Sequence, residues 1–268
     1  MINSKITLGY SSCPNDTYIF YALANQLIDT RGFDYDITIA DVEELNFRAM
    51  NAELMVSKLS FAAIFHLKDK YRLLNVGAAL GNGCGPLIVA KKDFDKDRLP
   101  NARIAIPGRL TTAALLLSLF LNSRADTFPM RFDMIMPAVS SGEYDAGVII
   151  HEGRFTYQKY GLVLVCDLGK WWENTTGLPI PLGGIAVRGD VPGKTADYIE
   201  KTIRESLVYA RTHPGEADDY IKMHARELSD DVIARHIDLY VNDYSLDLGE
   251  TGARAVSLLF EMAEEINR

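Results

Sequence analysis

The 268-residue chain has room for two modest lobes or one large α/β unit, and 48% hydrophobic with 24% charged residues excludes a disordered or collagen-like protein. Acidic residues outnumber basic ones by 36 to 28, a formal charge of −8, and no basic run tracks a phosphate backbone, so no nucleic-acid partner is expected. The odd, widely spaced Cys13, Cys84 and Cys166 argue against a disulfide framework or a thiolate metal site and for a reducing, cytoplasmic compartment.

In chain order, short β-branched runs alternate with longer helical patterns: Ile6–Gly9 then Thr17–Leu27, Tyr35–Ile39 then Val42–Asn51, Leu54–Ser57 then a helix near Leu59–Leu67. Two successive strand-like segments, Leu73–Ala79 and Gly85–Ala90, precede the charged surface loop KKDFDKDRLPN. A second series runs through Arg103–Ile106, a helix at Thr111–Leu121, a strand near Phe128–Phe132, a short helix around Ile135–Ser141, and the strand Ala146–Ile150. Leu162–Leu168 and Gly184–Val187 read as further strands, after which helical patterns at Thr195–Thr212, Glu216–Ala225, Asp230–Leu239 and Thr251–Ile266 fill the tail. The opening MINSKITLGYSSC enters a strand pattern at once and does not read as a signal peptide. The longest apolar runs are shorter than the ~20 residues of a membrane span, so none is expected.

The segments GPLIVAKKD and GGIAVRGD are both glycine-led apolar strands ending in a basic residue and an aspartate. One reading makes them the strands by which the chain leaves a first lobe and returns to it. The larger lobe is then 1–90 with 188–268 and the smaller one 91–187, in the manner of clamshell folds that close on a ligand. The plainer alternative is two strands of one sheet.

In open α/β sheets ligands bind beyond the carboxyl ends of strands, where following helices present free N–H groups. Four such places are rich in polar residues. SSCPNDT follows the first strand, with Asn15 and Asp16 before a helix whose turn Pro14 fixes; capping alone is an equally good reading. SKLS offers Lys58 and Ser60, the lysine being either a snorkelling surface residue or a cation for a carboxylate. PGRLTT leads into AALLLSLFL, so Thr111 and Thr112 with the helix start suit an anion, or merely cap it. In AGVIIHEGRFTY an apolar strand ends abruptly in His151, a natural proton acceptor near neutral pH. His66, His213, His224 and His236 are less persuasive, and no pair has metal-ligand spacing. Trp171 and Trp172 fit an aromatic wall or ordinary packing. The glycines of GNGCGP lead into a strand, and no phosphate-binding G-x-x-x-x-G-K-[ST] occurs.

Taken in order, SSCPNDTYIFYAL, DVEELN, SKLSFAA, GAALGNGCGPLIVA, PGRLTTAALLL, IIHEGRFTYQKYGLVLVCDLGKWWENTTGLPIPLGGI, ELSDDVIARHI and YVNDYSLDLGE resemble the 1,4-dihydroxy-6-naphthoate synthases of the futalosine route to menaquinone over nearly the whole chain. The resemblance implies an α/β fold of the two-lobed, type II periplasmic-binding-protein kind with a central cleft. It implies a lyase that works without metal or nucleotide cofactor and converts cyclic dehypoxanthinyl futalosine, a small anionic metabolite, into 1,4-dihydroxy-6-naphthoate. It makes His151 the base and maps ligand contacts to Lys58, Leu59, Ser60, Thr111 and Thr112, with Asn15 and Asn46 in matching motifs. Two alternatives share the fold: a non-catalytic solute-binding protein, and the chorismate dehydratase of the same pathway.

Overall fold

A computed structural model of the chain describes residues 5–122, 125–225 and 228–266. The elements run β1 (Lys5–Tyr10), α1 (Pro14–Ala24), β2 (Asp34–Ile39), α2 (Val42–Met50), β3 (Val56–Ser60), α3 (Phe61–His66), β4 (Tyr71–Leu73), β5 (Ala79–Gly81) and β6 (Leu87–Lys91). After a 3-10 turn at Lys96–Asn101 come β7 (Ile104–Ile106), α4 (Thr112–Leu121), β8 (Thr127–Pro129), α5 (Phe132–Ser141), β9 (Ala146–Ile149) and the single turn α6 (Gly153–Thr156). Then follow β10 (Leu162–Asp167), α7 (Leu168–Thr176), β11 (Ile180–Arg188), α8 (Gly193–Thr212), α9 (Asp218–His224), α10 (Asp230–Tyr240), α11 (Asp243–Leu246) and α12 (Gly249–Ile266). No helix among the described residues is long and apolar enough to cross a membrane.

These elements form two compact units, Met1–Leu80 with Gly183–Glu250 and Gly81–Leu182 with Thr251–Arg268. The crossings differ from those expected at 90/91 and 187/188, and strand pairing is the reason. β6 joins β9 and β10 in the second sheet, which draws residues 81–90 into the second unit. Residues 183–187 of β11 pair with β3 in the first sheet. The tail is divided as well, because most of α12 belongs to the second unit. Its buried Gly252, Ala255, Val256, Leu259 and Ala263 recur at helical spacing and form the face that needs a core.

In the first unit the sheet order is β2-β1-β3-β11-β4, with β5 also paired to β11. β1 is parallel to β2 and β3, while β11 runs antiparallel to β3 and β4. Alternate residues Ile6, Leu8 and Tyr10 meet Ile19, Phe20 and Leu23 of α1 and Ile199, Ile203 and Leu207 of α8. Each such buried aliphatic side chain contributes about 1.5–3 kcal/mol. Helix α8 is tied to α1 by Ser206, whose hydroxyl donates to the Ile19 carbonyl at 2.7 Å and accepts from the Leu23 N–H at 3.0 Å.

In the second unit the order is β10-β6-β9-β7-β8. β7 is parallel to β8 and β9, and β6 is antiparallel to β9 and β10. Leu87, Val89, Ala105 and Ile149 of this sheet pack on Ile135, Met136 and Val139 of α5. The glycine of the GNGCGP segment that governs packing here is Gly85: a Cβ on it would lie 2.3 Å from the Gly169 Cα, so the two backbones touch where α7 begins.

Candidate active site

In the first unit, β1 and β3 are parallel neighbours, so the residues after both strands leave one edge of the sheet. Pro14 is the first residue of α1, which therefore starts three residues before the expected Thr17. Asn15 and Asp16 thus lie in its first turn, and both are buried. Neither caps the helix. Asp16 Oδ2 accepts from the Ser11 N–H (3.2 Å) and hydroxyl (2.7 Å), and Oδ1 accepts from Asn15 Nδ2 (2.8 Å) and Lys58 Nζ (2.9 Å).

Lys58 is not a snorkelling residue: it is 5% exposed, inside β3 rather than on a turn, and its ammonium also donates to the Gly77 carbonyl at 2.8 Å. That carbonyl is aimed by Gly77 itself, whose φ of +72° is a left-handed conformation that glycine adopts freely. Two of the three ammonium protons are so used, which leaves one for an acceptor outside this set. Since Asp16 balances the charge, Lys58 acts as a directed donor rather than a bare cation.

The network reaches a residue that sequence reasoning set aside. His236, on α10 and fully buried, has Nε2 2.9 Å from Asn15 Oδ1. The Asp16 carboxylate demands the amide NH₂ of Asn15, so its oxygen faces the imidazole and Nε2 carries a proton. Asn46, also buried, clasps Ser60: its Oδ1 accepts from the Ser60 N–H (3.1 Å) and its Nδ2 donates to the Ser60 hydroxyl (3.2 Å). Ser60 precedes α3 without capping it by its side chain, so the hydroxyl proton is left for a ligand oxygen. Leu59 differs in kind. Its register partner is Gly184 and it is 1% exposed, so its side chain is core and only its backbone can meet a ligand.

In the second unit the parallel neighbours are β7 and β9, so the start of α4 and the turn after β9 share an edge. Thr111 is the N-cap of α4: its hydroxyl accepts from the Ala114 N–H at 3.2 Å and donates to the Gly108 carbonyl at 2.8 Å. Thr112 donates to the Leu182 carbonyl at 2.6 Å. Both hydroxyl protons are spent, so these side chains can accept from a ligand hydroxyl but have nothing to donate to an ionised carboxylate. An anion at the start of α4 would be met by the backbone N–H groups and the dipole of the helix.

His151 follows β9 and has φ +55°, a left-handed conformation costly to any residue with a Cβ. The tight turn causes it: the Gly153 N–H reaches the Ile150 carbonyl at 3.1 Å, which makes His151 the first central residue. Phe132 packs edge-on against its ring, centroids 5.1 Å apart. His151→Gly is expected to unfold at higher denaturant than His151→Ala, by about 1 kcal/mol, because both lose the ring but only alanine keeps the Cβ. Equal midpoints would deny the strain.

Other candidates resolve into structure. Trp172 is fully buried and donates from Nε1 to the Pro179 carbonyl at 3.1 Å, while Trp171 meets Phe120 edge-on. Burial pushes the Cys84 thiol up to about 12, so it stays protonated and inert at neutral pH. Burial lowers the His66 imidazole. All three cysteines are free, and no group of three or more His, Cys, Asp or Glu side chains among the described residues could hold a metal ion.

The menaquinone biosynthesis family matches residues 6–265. A 1,4-dihydroxy-6-naphthoate synthase of Thermus thermophilus is 48% identical over 97% of this chain and 94% of its own length. One of Streptomyces coelicolor is 41% identical over 98% of this chain and 94% of its own. Among solved structures, a protein of Archaeoglobus fulgidus aligns with a TM-score of 0.93 at 39% identity, covering 100% of this chain and 99% of that one. The periplasmic aliphatic sulphonate binding protein of Escherichia coli aligns at 0.69 and 13% identity, over 98% of this chain and 87% of that one, a likeness of fold alone. The fold is thus the α/β periplasmic-binding-protein-like one.

Proposed function

We infer the reaction from one premise: the chain belongs to the menaquinone biosynthesis family. It is an enzyme of that pathway, a lyase of the 1,4-dihydroxy-6-naphthoate synthase type. We propose that its substrate is cyclic dehypoxanthinyl futalosine and that His151 is the base. The observation that carries the reading is His151 itself, a half-buried imidazole held in a strained conformation beyond the carboxyl end of β9.

The imidazole takes a proton next to a carbonyl. The electron pair left behind expels the oxygen β to that carbonyl, which takes the proton back from the imidazolium. Retro-aldol cleavage then leaves the C–C bonding pair on the ring as an enolate, while the sugar hydroxyl gives its proton to that enolate oxygen and becomes the carbonyl of the leaving fragment, so that the ring gains aromaticity. One positioned base and an oriented substrate suffice for such a step.

The donors and acceptors divide the binding work. The Lys58 ammonium and the Ser60 hydroxyl each keep a proton for a carboxylate oxygen, with the Leu59 backbone beside them. Asn15 and Asn46 act by holding Asp16 and Ser60. Thr111 and Thr112 take a sugar hydroxyl, consistent with their spent protons. We place the enzyme in the cytoplasm, a reading supported by its three free cysteines.

Incubation with the cyclic futalosine is expected to generate naphthoate absorbance, and incubation with chorismate none. Turnover of chorismate alone would replace this activity with the dehydratase one.

A further inference from the structure

His151 sits in a tight turn closed by the Gly153 N–H bond to the Ile150 carbonyl. Its φ of +55° costs roughly 1–2 kcal/mol, and such conformations persist only where the surroundings over-determine them. The helix that follows, α6, is one turn of four residues, too short to be rigid alone. Something outside the turn must fix it.

Arg154, three residues beyond His151, is the side chain placed to do so. Its Nη1 donates to the Gly83 carbonyl at 2.5 Å and its Nη2 to Asp167 Oδ2 at 3.1 Å. Neither acceptor is loose. The other oxygen of Asp167 caps α7, accepting from the Gly169 N–H at 2.9 Å and the Lys170 N–H at 3.0 Å. Gly83 is tied by its own N–H to Glu173 Oε1, also on α7, at 2.7 Å. The guanidinium fork therefore pins α6 to two points, both anchored on a nine-residue helix. The ion pair is well shielded, with side chains 13% and 23% exposed.

We propose that Arg154 is a positioning residue for the reaction, acting through His151 by clamping the turn that carries it, with Asp167 as the fixed end of the clamp. This rests on the reading of His151 as the base. Without the fork, α6 is free to relax and the left-handed residue drifts toward an ordinary conformation, moving the imidazole away from the proton it takes. A displacement of about 1 Å costs up to ~10²-fold in rate. The fork geometry belongs to arginine, so a lysine cannot reproduce both bonds.

The test is a double-mutant cycle on the full chain, with kcat and KM measured on the cyclic substrate. Arg154→Met, which keeps the aliphatic stem, is expected to lower kcat ~10²-fold and to change KM by less than about 3-fold. Arg154→Lys should recover only a small part of the loss. Asp167→Asn should lower kcat in the same way while leaving Arg154 in place, which covers the case in which Arg154→Met fails to fold. In a His151→Asn background either change should lower kcat by less than about 2-fold, because there is no base left to misplace. Full additivity with His151→Asn, or a loss confined to KM, overturns the proposal. Near-normal turnover of His151→Asn by itself instead overturns the assignment of the base.

Discussion

His151→Asn is expected to lower kcat by ~10²-fold or more while ligand binding persists, because asparagine fills similar space but cannot accept a proton at neutral pH. It also tolerates the left-handed conformation better than most residues, so the φ of +55° is no obstacle to the variant's folding. Turnover should be followed by naphthoate absorbance and binding by calorimetry. A variant that turns over near normally removes His151 as the base. One that loses binding and turnover together makes it a ligand contact instead.

The largest expected loss of stability is at Asp16. The Lys58–Asp16 pair is buried, with side chains 7% and 3% exposed, and removing one member of such a pair typically costs about 3–5 kcal/mol. The two members are not equivalent. Without Lys58, Asp16 retains three donors, from the Ser11 N–H, the Ser11 hydroxyl and Asn15. Without Asp16, Lys58 retains only the Gly77 carbonyl and remains a buried charge. Asp16→Asn should therefore be the more damaging change and Lys58→Met the milder one, as read from denaturant midpoints. Equal losses would mean that the ion pair, and not the surrounding donors, sets the cost.

Much of the candidate site in each unit was legible in the sequence, because its residues lie at or near strand ends. Lys58, Ser60, Thr111, Thr112 and His151 each stand where an apolar run gives way to polar residues, and that break is visible without coordinates. Local cues misplaced some boundaries. The run 73–79 reads as one strand, yet β4 stops at Leu73 and β5 starts at Ala79, with Gly77 at φ +72° between them. Helix α7 has no mark of its own in the pattern, because the apolar strand run extends to Leu168 and masks Asp167 as its N-cap. The aromatic and threonine-rich LGKWWENTT also has little helix propensity of its own. The contribution of His236 had no local signal at all, since its partner Asn15 is 221 residues away. Long-range polar pairing is fixed by tertiary packing, and periodicity carries no trace of it.

The place of β11 between β3 and β4 has a consequence for how the chain is made. β3 ends at Ser60, but β11 begins only at Ile180, so on the ribosome an edge of β3 lacks its native neighbour for 120 residues of synthesis. At about 5–20 residues per second that interval lasts on the order of 10 s. During it the first unit offers an open strand edge to any other nascent chain. The Lys58–Asp16 pair joins α1 to β3 and needs nothing from β11, so the same polar network braces the half-made sheet before β11 arrives.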